Sequence, residues 1–144
     1  MIKIAENEYV EIYRHDDIMA FEQRFKAASE DLFGKGYIEQ MKLFGEAIIN
    51  QKNEGHNYPN VIINTTKNGP TMEPEVQDWM HETFYPLLAE NKITTKAYCL
   101  GEEILSKLSI ELTAGDNSNA LFRFKFFSNL EEGREWLRIQ NLTL

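Results

Sequence analysis

The side chains that could hold a phosphate group gather in one short segment, NTTKNGPTMEPEV, which joins an apolar run to a predicted helix. Its candidate residues are Thr65, Thr66, Lys67, Asn68 and Thr71. The amides and the dipole of a helix N-terminus favour an anion, so a phosphate could bind there or be attached to a threonine. Against this, Glu73, Glu75 and Asp78 compete for the same positive helix end, and no nucleotide-binding GxxxxGK pattern is present.

The same segment is also explained by ordinary turn chemistry. Gly69 would supply the turn, and Thr71 or Glu73 would cap the helix. This structural interpretation is favoured over a phosphate site.

The three histidines do not predict a metal or catalytic set. His15, His56 and His81 lack metal-ligand spacing with one another or with the single cysteine, Cys99. Two aspartates follow His15 and suggest an acid–base pair, but the composition of a turn explains the cluster better. His81 is expected to be exposed on a helix.

The remaining nucleophile and acid candidates are weak. Cys99 lies in a predicted buried strand, where apolar neighbours raise the pKa of a thiol instead of activating it. The acid pairs Glu102–Glu103 and Glu131–Glu132 could mimic a hydrolase dyad, but we expect both to be solvated. The sequence therefore predicts no catalytic residue, no cofactor and no metal.

The composition indicates one ordinary globular domain. The chain has 144 residues, of which 42% are hydrophobic and 26% charged. A net charge of −8 without a basic cluster argues against nucleic acid or an anionic membrane as partner. A lone cysteine, no recognisable signal peptide and no apolar run long enough to span a bilayer predict a cytoplasmic protein.

The elements that must position the loop begin with antiparallel strands. Tyr9–Arg14 alternates as a strand does, and a polar turn follows it. The segment Ile18–Phe25 fits a strand or a helix, and a second strand is favoured. Ile2 and Ile4 fit a short edge strand. The stripe Tyr37, Met41, Phe44 and Ile48 then predicts an amphipathic helix.

The second half alternates strands with helices. The predicted elements are a strand at Val61–Ile63, a helix from Pro74 that Pro86 kinks or ends, a strand at Thr95–Leu100, a helix over Ile104–Leu112, a strand at Leu121–Phe127, and a helix capped by Ser128 and Glu131 and anchored by Trp136 and Leu137. This order predicts a single α/β domain, with one mixed sheet of four to five strands, an N-terminal hairpin and helices coating the sheet.

This arrangement resembles that of STAS domains, and more closely their SpoIIAA-like group. The likeness rests on VIIN leading to TMEPEVQDW, on TTKAYCLG and on RFKFFSNLEEGREWL, and it covers Tyr9 to Leu137. The resemblance implies a non-enzymatic regulatory domain, like the anti-sigma-factor antagonists, that binds an anti-sigma-like or kinase-like protein. In those antagonists a kinase phosphorylates a Ser or Thr in the loop after the strand. Here Asn64 stands where an acid is common, and Thr71 is the hydroxyl nearest the helix start.

An alternative function is the binding of a small apolar, acyl or lipid ligand. Many of the nine phenylalanines and six tyrosines lie near the hairpin and first helix: Tyr9, Tyr13, Phe21, Phe25, Phe33, Tyr37 and Phe44. Most are expected in the core, but a set exposed together would form a homodimer face or line a pocket between the sheet and the first helix. CRAL-TRIO lipid-binding domains are fold relatives of the SpoIIAA-like group, so the resemblance also allows a lipophilic pocket.

Overall fold

A computed structural model describes residues 1–102 and 122–142, and its strands form one sheet in chain order. The strands are β1 (Ile2–Glu6), β2 (Val10–His15), β3 (Ala20–Phe25), β4 (Asn60–Thr65), β5 (Thr95–Leu100) and β6 (Arg123–Phe127). Strands β1 to β3 pair antiparallel, and β3 to β6 pair parallel. The α/β class and the mixed sheet are confirmed.

The strand count of four to five is wrong, because the sheet has six strands. The first strand, β1, pairs with β2 through an irregular register between Lys3 and Ala5. Its side chains are exposed or half-buried, so it lacks the clear hydrophobic period that identifies a strand in sequence. The favoured strand at Ile18–Phe25 is confirmed as β3, but it begins at Ala20, because Ile18 and Met19 belong to the preceding turn.

Helices connect or follow the parallel strands. Helix α1 (Lys35–Asn53) joins β3 to β4, and a 3₁₀ turn (Ala27–Asp31) precedes it. Between β4 and β5 lie α2 (Pro74–Trp79), a π-helical turn (Met80–Phe84) and α3 (Tyr85–Glu90), and α4 (Leu130–Leu142) follows β6. The helix predicted at Ile104–Leu112 lies outside the described residues. Across the described ranges, no helix combines the length and the apolar character needed to cross a membrane.

Pro86 neither ends nor interrupts the helical segment, which continues to Glu90. A proline has no amide to donate to the carbonyl four residues earlier, and its ring crowds that carbonyl. The π turn widens the helix just before it, where the Tyr85 amide donates to the Met80 carbonyl, five residues back. The widened turn therefore accommodates Pro86 without a break.

The cap of α4 is Asn129, not the predicted Ser128. The helix begins at Leu130, and the Asn129 side-chain oxygen accepts a hydrogen bond of 2.9 Å from the Glu132 amide. The capping-box pattern was therefore placed one residue too early, because the bend after β6 includes both Ser128 and Asn129.

The larger core lies between the sheet and the segment α1–α3. The predicted α1 stripe is buried, with Phe44 and Ile48 fully inaccessible to solvent. Phe44 stacks on Phe84 with ring centroids 6.4 Å apart, and Phe21 and Val61 form the sheet side of the same cluster. Of the hairpin and first-helix aromatics, Phe33 alone is exposed as a large apolar side chain, at 67%.

Helix α4 packs on the other face of the sheet, over β4 to β6. Leu137 contributes to a smaller core with Ile62, Cys99 and Phe127. The close approach depends on Gly133, where an added Cβ would lie 2.8 Å from the Cys99 sulfur. The half of this face that lies over β2 and β3 carries polar side chains instead.

We expect Gly133→Ala to lower the free energy of unfolding by about 1–3 kcal/mol, the usual cost of overpacking a core. The clash is with a sulfur atom that is itself fully buried. Urea denaturation of the unchanged and substituted protein measures the effect.

A Cys99→Ala background supplies the control for this substitution. With the sulfur removed, Gly133→Ala should become stabilising, because alanine is favoured over glycine inside a helix by about 1 kcal/mol. Equal effects of Gly133→Ala in both backgrounds would contradict the packing described.

Candidate functional site

The predicted loop lies at the carboxyl edge of the parallel strands, where β4 leads towards α2. Thr65 is the last residue of β4, and its hydroxyl lies 3.4 Å from the Cys99 carbonyl oxygen. Thr66 is half-buried and donates its hydroxyl hydrogen to the Asn64 side-chain oxygen at 2.8 Å. Lys67 and Thr71 are exposed, and Asn68 is half-buried. The five predicted residues therefore differ in accessibility and surroundings.

Three of the five predicted residues line one cleft of about 380 Å³, which we call the loop cleft. They are Thr66, Lys67 and Asn68, and they lie opposite Arg24 and Lys26 at the end of β3. Thr65 and Thr71 do not line it. The edge of an open sheet beyond the carboxyl ends of parallel strands is where α/β folds commonly bind ligands.

The expected side-chain cap of α2 is not formed. Glu73 occupies the capping position, and its carbonyl accepts hydrogen bonds from the amides of Val76 and Gln77 at 3.0 Å each. Neither the Glu73 carboxylate nor a threonine hydroxyl caps the first turn. The acidic first turn thus leaves Thr71 without a capping role.

A buried carboxylate, that of Glu22 in β3, lies beside the loop cleft and is connected to the loop. Its side chain is inaccessible to solvent, and Arg24 donates to both of its oxygens, at 2.8 and 3.0 Å. Asn64 donates at 2.9 Å, and His15 Nε2 lies 2.7 Å away. Asn64 therefore bridges Glu22 to the hydroxyl and amide of Thr66.

Opposing effects act on the pKa of Glu22. Burial raises it, because a charge is poorly solvated inside a protein. Hydrogen bonds from His15, Arg24 and Asn64, together with the positive charge of Arg24, outweigh burial and lower the pKa to about 2. Glu22 is therefore ionised at neutral pH, and His15, Arg24 and Asn64 all donate hydrogen bonds to its carboxylate.

His15 is buried, contrary to the turn expected at this position. It is the last residue of β2, with 1% of its surface exposed, and its partner is Glu22 and not the two aspartates that follow it. On the other side of the ring, Arg134 of α4 places a guanidinium nitrogen 2.5 Å from His15 Nδ1. A guanidinium has no acceptor, so Nδ1 accepts and Nε2 donates to Glu22.

Arg134 connects this network to a second cleft of about 530 Å³. Its guanidinium also pairs with Asp17. The hydrogen bond from Arg134 lowers the pKa of the Asp17 carboxyl. A chain of polar contacts consequently runs from Thr66 through Asn64, Glu22, His15 and Arg134 to Asp17, and joins the predicted loop to α4.

The geometry of this network suits positioning better than proton transfer. Both nitrogens of His15 are engaged, so the ring has no lone pair available for a substrate proton. Arg24 is held against Glu22, and its guanidinium lies 4.4 Å from the centre of the Tyr13 ring. Within the described ranges, no three His, Cys, Asp or Glu side chains are grouped to hold a metal ion.

The other predicted groups have simple environments. Cys99 is fully buried, and burial raises its pKa to about 12, as expected for a thiol in a core strand. His81, Glu131 and Glu132 are exposed, as expected, and so is Glu102. Glu103 lies outside the described residues.

Sequence reasoning missed Glu22, Arg24 and Arg134. A signal for the first two was present, because β3 reads AFEQRF and carries three consecutive polar residues inside a strand that neighbours cover. Buried polar groups require partners, so such a run predicts a hydrogen-bonded network. Arg134 gave no signal, since it resembles any half-exposed helical arginine.

No model of a known protein family, no curated protein and no solved structure matches this chain.

We expect Glu22→Gln to lower the free energy of unfolding by about 3–5 kcal/mol at neutral pH, because it leaves Arg24 without its buried counter-charge. The size of this loss of stability should depend on pH. Folding lowers the pKa of Glu22 from 4.5 to about 2, so its stabilising contribution is complete above pH 4.5 and is lost as the pH falls towards 2. This difference in pKa corresponds to about 3 kcal/mol.

Urea denaturation of both proteins at pH 7 and at pH 3 measures the difference. The stability gap should narrow at pH 3. Glu39→Gln, on an exposed part of α1, is the matched control and should alter neither stability nor its pH dependence. If the difference in stability between the unchanged protein and Glu22→Gln were the same at pH 7 and pH 3, Glu22 would not carry the proposed charge.

Proposed function

We propose that this chain is a non-enzymatic, regulatory protein-interaction domain of the STAS type, similar to anti-sigma-factor antagonists, which binds its partner through the edge that carries the predicted loop. A cytoplasmic location goes with this proposal, because its single cysteine is unpaired and buried. The observation that carries the proposal is an exposed apolar pair at this edge.

The pair consists of Phe33 and Met72, which are 67% and 46% exposed. They belong to two segments that meet through a hydrogen bond of 3.3 Å from the Thr71 amide to the Leu32 carbonyl. Each apolar residue directly follows one end of that bond. Exposed large apolar side chains on adjacent segments of a surface are typical of protein interfaces.

The acidic first turn of α2 lies against the start of α1. Gly34 has a positive φ of 51°, and an added Cβ would be 2.7 Å from a Glu75 carboxylate oxygen and 4.0 Å from one of Glu73. We use the name contact edge for the surface formed by Phe33, Thr71, Met72, Glu73 and Glu75. It offers a partner an apolar centre beside carboxylates.

Thr71 is the threonine of the loop best placed for modification. It is exposed, whereas Thr66 is half-buried and bonded to Asn64, and Thr65 ends a strand. A phosphate adds a charge of about −1.5 to −2, and beside Glu73 and Glu75 this charge would be repelled and costly to desolvate. Phosphorylation would therefore release a partner that buries Met72.

The order of elements supports the STAS-type part of the proposal. Three antiparallel strands lead into parallel strands that follow one another in chain order, and the candidate loop lies at their carboxyl edge. The strand-end acid common in that family is replaced by Asn64. Glu22 of the neighbouring strand supplies a carboxylate 2.9 Å from the Asn64 side-chain nitrogen.

Replacement of the apolar pair should weaken partner binding. We expect a Phe33→Ser, Met72→Ser variant to fold normally, because both side chains are exposed, and to bind a partner identified by affinity capture at least about tenfold more weakly, in line with interface anchors worth over 1 kcal/mol. Direct titration by calorimetry measures this.

Ile139→Ser, Leu142→Ser is the matched control, since it removes two apolar side chains that are 45% and 75% exposed on α4. It should bind as the unchanged chain does. Equal binding by both double variants would contradict the contact edge. Loss of self-association in the first variant alone would identify the partner as a second copy of the chain.

A charge at Thr71 should have a similar effect. We expect Thr71→Glu to weaken partner binding about tenfold, because it adds a third carboxylate to the contact edge. Thr71→Val, which removes the hydroxyl without adding charge, should leave the affinity unchanged. Equal affinities of these two variants would argue against a phosphorylation switch at this position.

A further inference from the structure

The amine of Lys96 is buried, and no described residue forms a hydrogen bond with it. Lys96 lies within β5 with 1% of its surface exposed, and its Nζ has no partner among the described residues. The Nζ atom lies 3.9 Å from the centre of the Tyr85 ring and 4.3 Å from that of Phe122. A buried amine normally pairs with a carboxylate or carbonyl, so this exception calls for an explanation.

Lys96 lines a cavity of about 50 Å³ between the sheet, α1 and the α2–α3 segment. The sheet contributes Val61 and Ile63, and α1 contributes Met41. Across from them, the loop and the following helical segment contribute Met72 and Met80. The walls are thus apolar and rich in methionine, whose flexible thioether side chains adapt to an occupant.

We propose that this cavity binds a small aliphatic carboxylic acid, whose carboxylate accepts hydrogen bonds from Lys96 Nζ and whose hydrocarbon chain lies among the apolar walls. The inference goes beyond the contact with a protein partner and does not depend on it.

A carboxylate is the group that complements the lysine best. An ammonium has three hydrogens to donate and no capacity to accept, and its charge is otherwise offset only by the negative faces of the surrounding rings. Among the described residues, three further titratable side chains line the cavity, those of Tyr37, Tyr85 and Tyr98. Burial raises the pKa of each, so they stay neutral at physiological pH. Within the described part of the chain no acidic side chain lines the cavity, so we assign the anion to a ligand.

The volume limits the length of the acid. A cavity needs roughly 10–15 Å³ for each water-sized group, so 50 Å³ accommodates about three to five heavy atoms before the walls move. Butyrate has six heavy atoms, one more than the upper end of this range, so it requires only a small movement of the walls. Longer acids require displacement of methionine side chains, and affinity should therefore fall with chain length.

Met72 offers the route by which a ligand enters. Its side chain lines the cavity and is also 46% exposed. A rotamer change at an exposed methionine is fast, whereas the other described lining residues are buried or half-buried in helices and strands. Met72 also belongs to the contact edge. Ligand binding in the cavity and partner binding at the surface would therefore both involve its side chain.

Burial lowers the pKa of Lys96 to about 7, because its charge is poorly solvated there. At pH 6 about nine-tenths of the free protein carries the ammonium, and at pH 8 about one-tenth. The acid itself is ionised at both pH values. Binding of the carboxylate requires the ammonium, so it should be about tenfold tighter at pH 6 than at pH 8.

Isothermal titration calorimetry with butyrate, butyramide and butan-1-ol on the full chain tests the proposal. We expect saturable binding of butyrate, at least tenfold tighter than that of the two neutral analogues, which fill the same volume without a charge. The expected dependence on pH should appear for butyrate alone. These comparisons need no variant, so they stand even if substitution of Lys96 disturbs folding.

Lys96→Met removes the amine and keeps the length of the side chain. We expect it to fold at least as stably and to lose butyrate binding by at least tenfold. Lys125→Met is the matched control, because Lys125 lies on the adjacent strand and is exposed on the other face.

Three results would overturn the inference: no saturable binding of butyrate, equal binding of butyrate and butyramide, or full binding by Lys96→Met. Retention of an aldehyde after borohydride reduction, without any binding of the acid, would point instead to an imine-forming lysine and would also contradict the carboxylate site. None of these results bears on the Phe33 and Met72 variants, so the two proposals can fail separately.

Discussion

The carboxylate of Glu22 is the constraint around which one face of this sheet is organised. A buried charge is tolerated only when donors surround it, and here the donors come from three strands: His15 of β2, Arg24 of β3 and Asn64 of β4. Each donor is itself fixed by a further contact. His15 is held by Arg134, and Asn64 holds Thr66. The network thereby sets the position of the loop relative to α4.

The two faces of the sheet are covered unequally, and this inequality creates the polar half. Helix α1 and the α2–α3 segment pack on one face, whereas α4 packs on the other face over β4 to β6. In the described part of the chain no helix covers β2 and β3 on that side, apart from the contact of Arg134 of α4 with His15. Glu22 and His15 are buried in this space and Arg24 is half-buried beside them, with the Met1 sulfur 3.3 Å from the Arg24 guanidinium.

Both proposals converge on the loop between β4 and α2. Met72 belongs to the exposed apolar pair of the contact edge and also to the wall of the cavity beside Lys96. A partner that buries Met72 would close the cavity, and a ligand that displaces Met72 would alter the surface offered to a partner. Such coupling requires no change in the sheet, because a single flexible side chain serves both sites.

The sequence by itself determined the local elements. The period of Tyr37, Met41, Phe44 and Ile48 predicted α1, the run TKAYCL predicted β5, and the buried state of Cys99 followed from its place in that run. These predictions succeed because apolar periodicity records which face of an element is covered. Periodicity suggested the barely covered strand β1 only as a short edge strand at Ile2 and Ile4, and it did not place the cap of α4 to the residue.

Only the tertiary structure decided the candidate sites. Glu22 and Arg134 are separated by 112 positions in the printed sequence, and they meet through His15 only because α4 folds back over the sheet. Lys96 resembles any strand lysine until its neighbours enclose it. Charge and hydrogen-bonding capacity belong to residue types and can be read directly, but their burial depends on contacts between distant segments, which a residue pattern does not record.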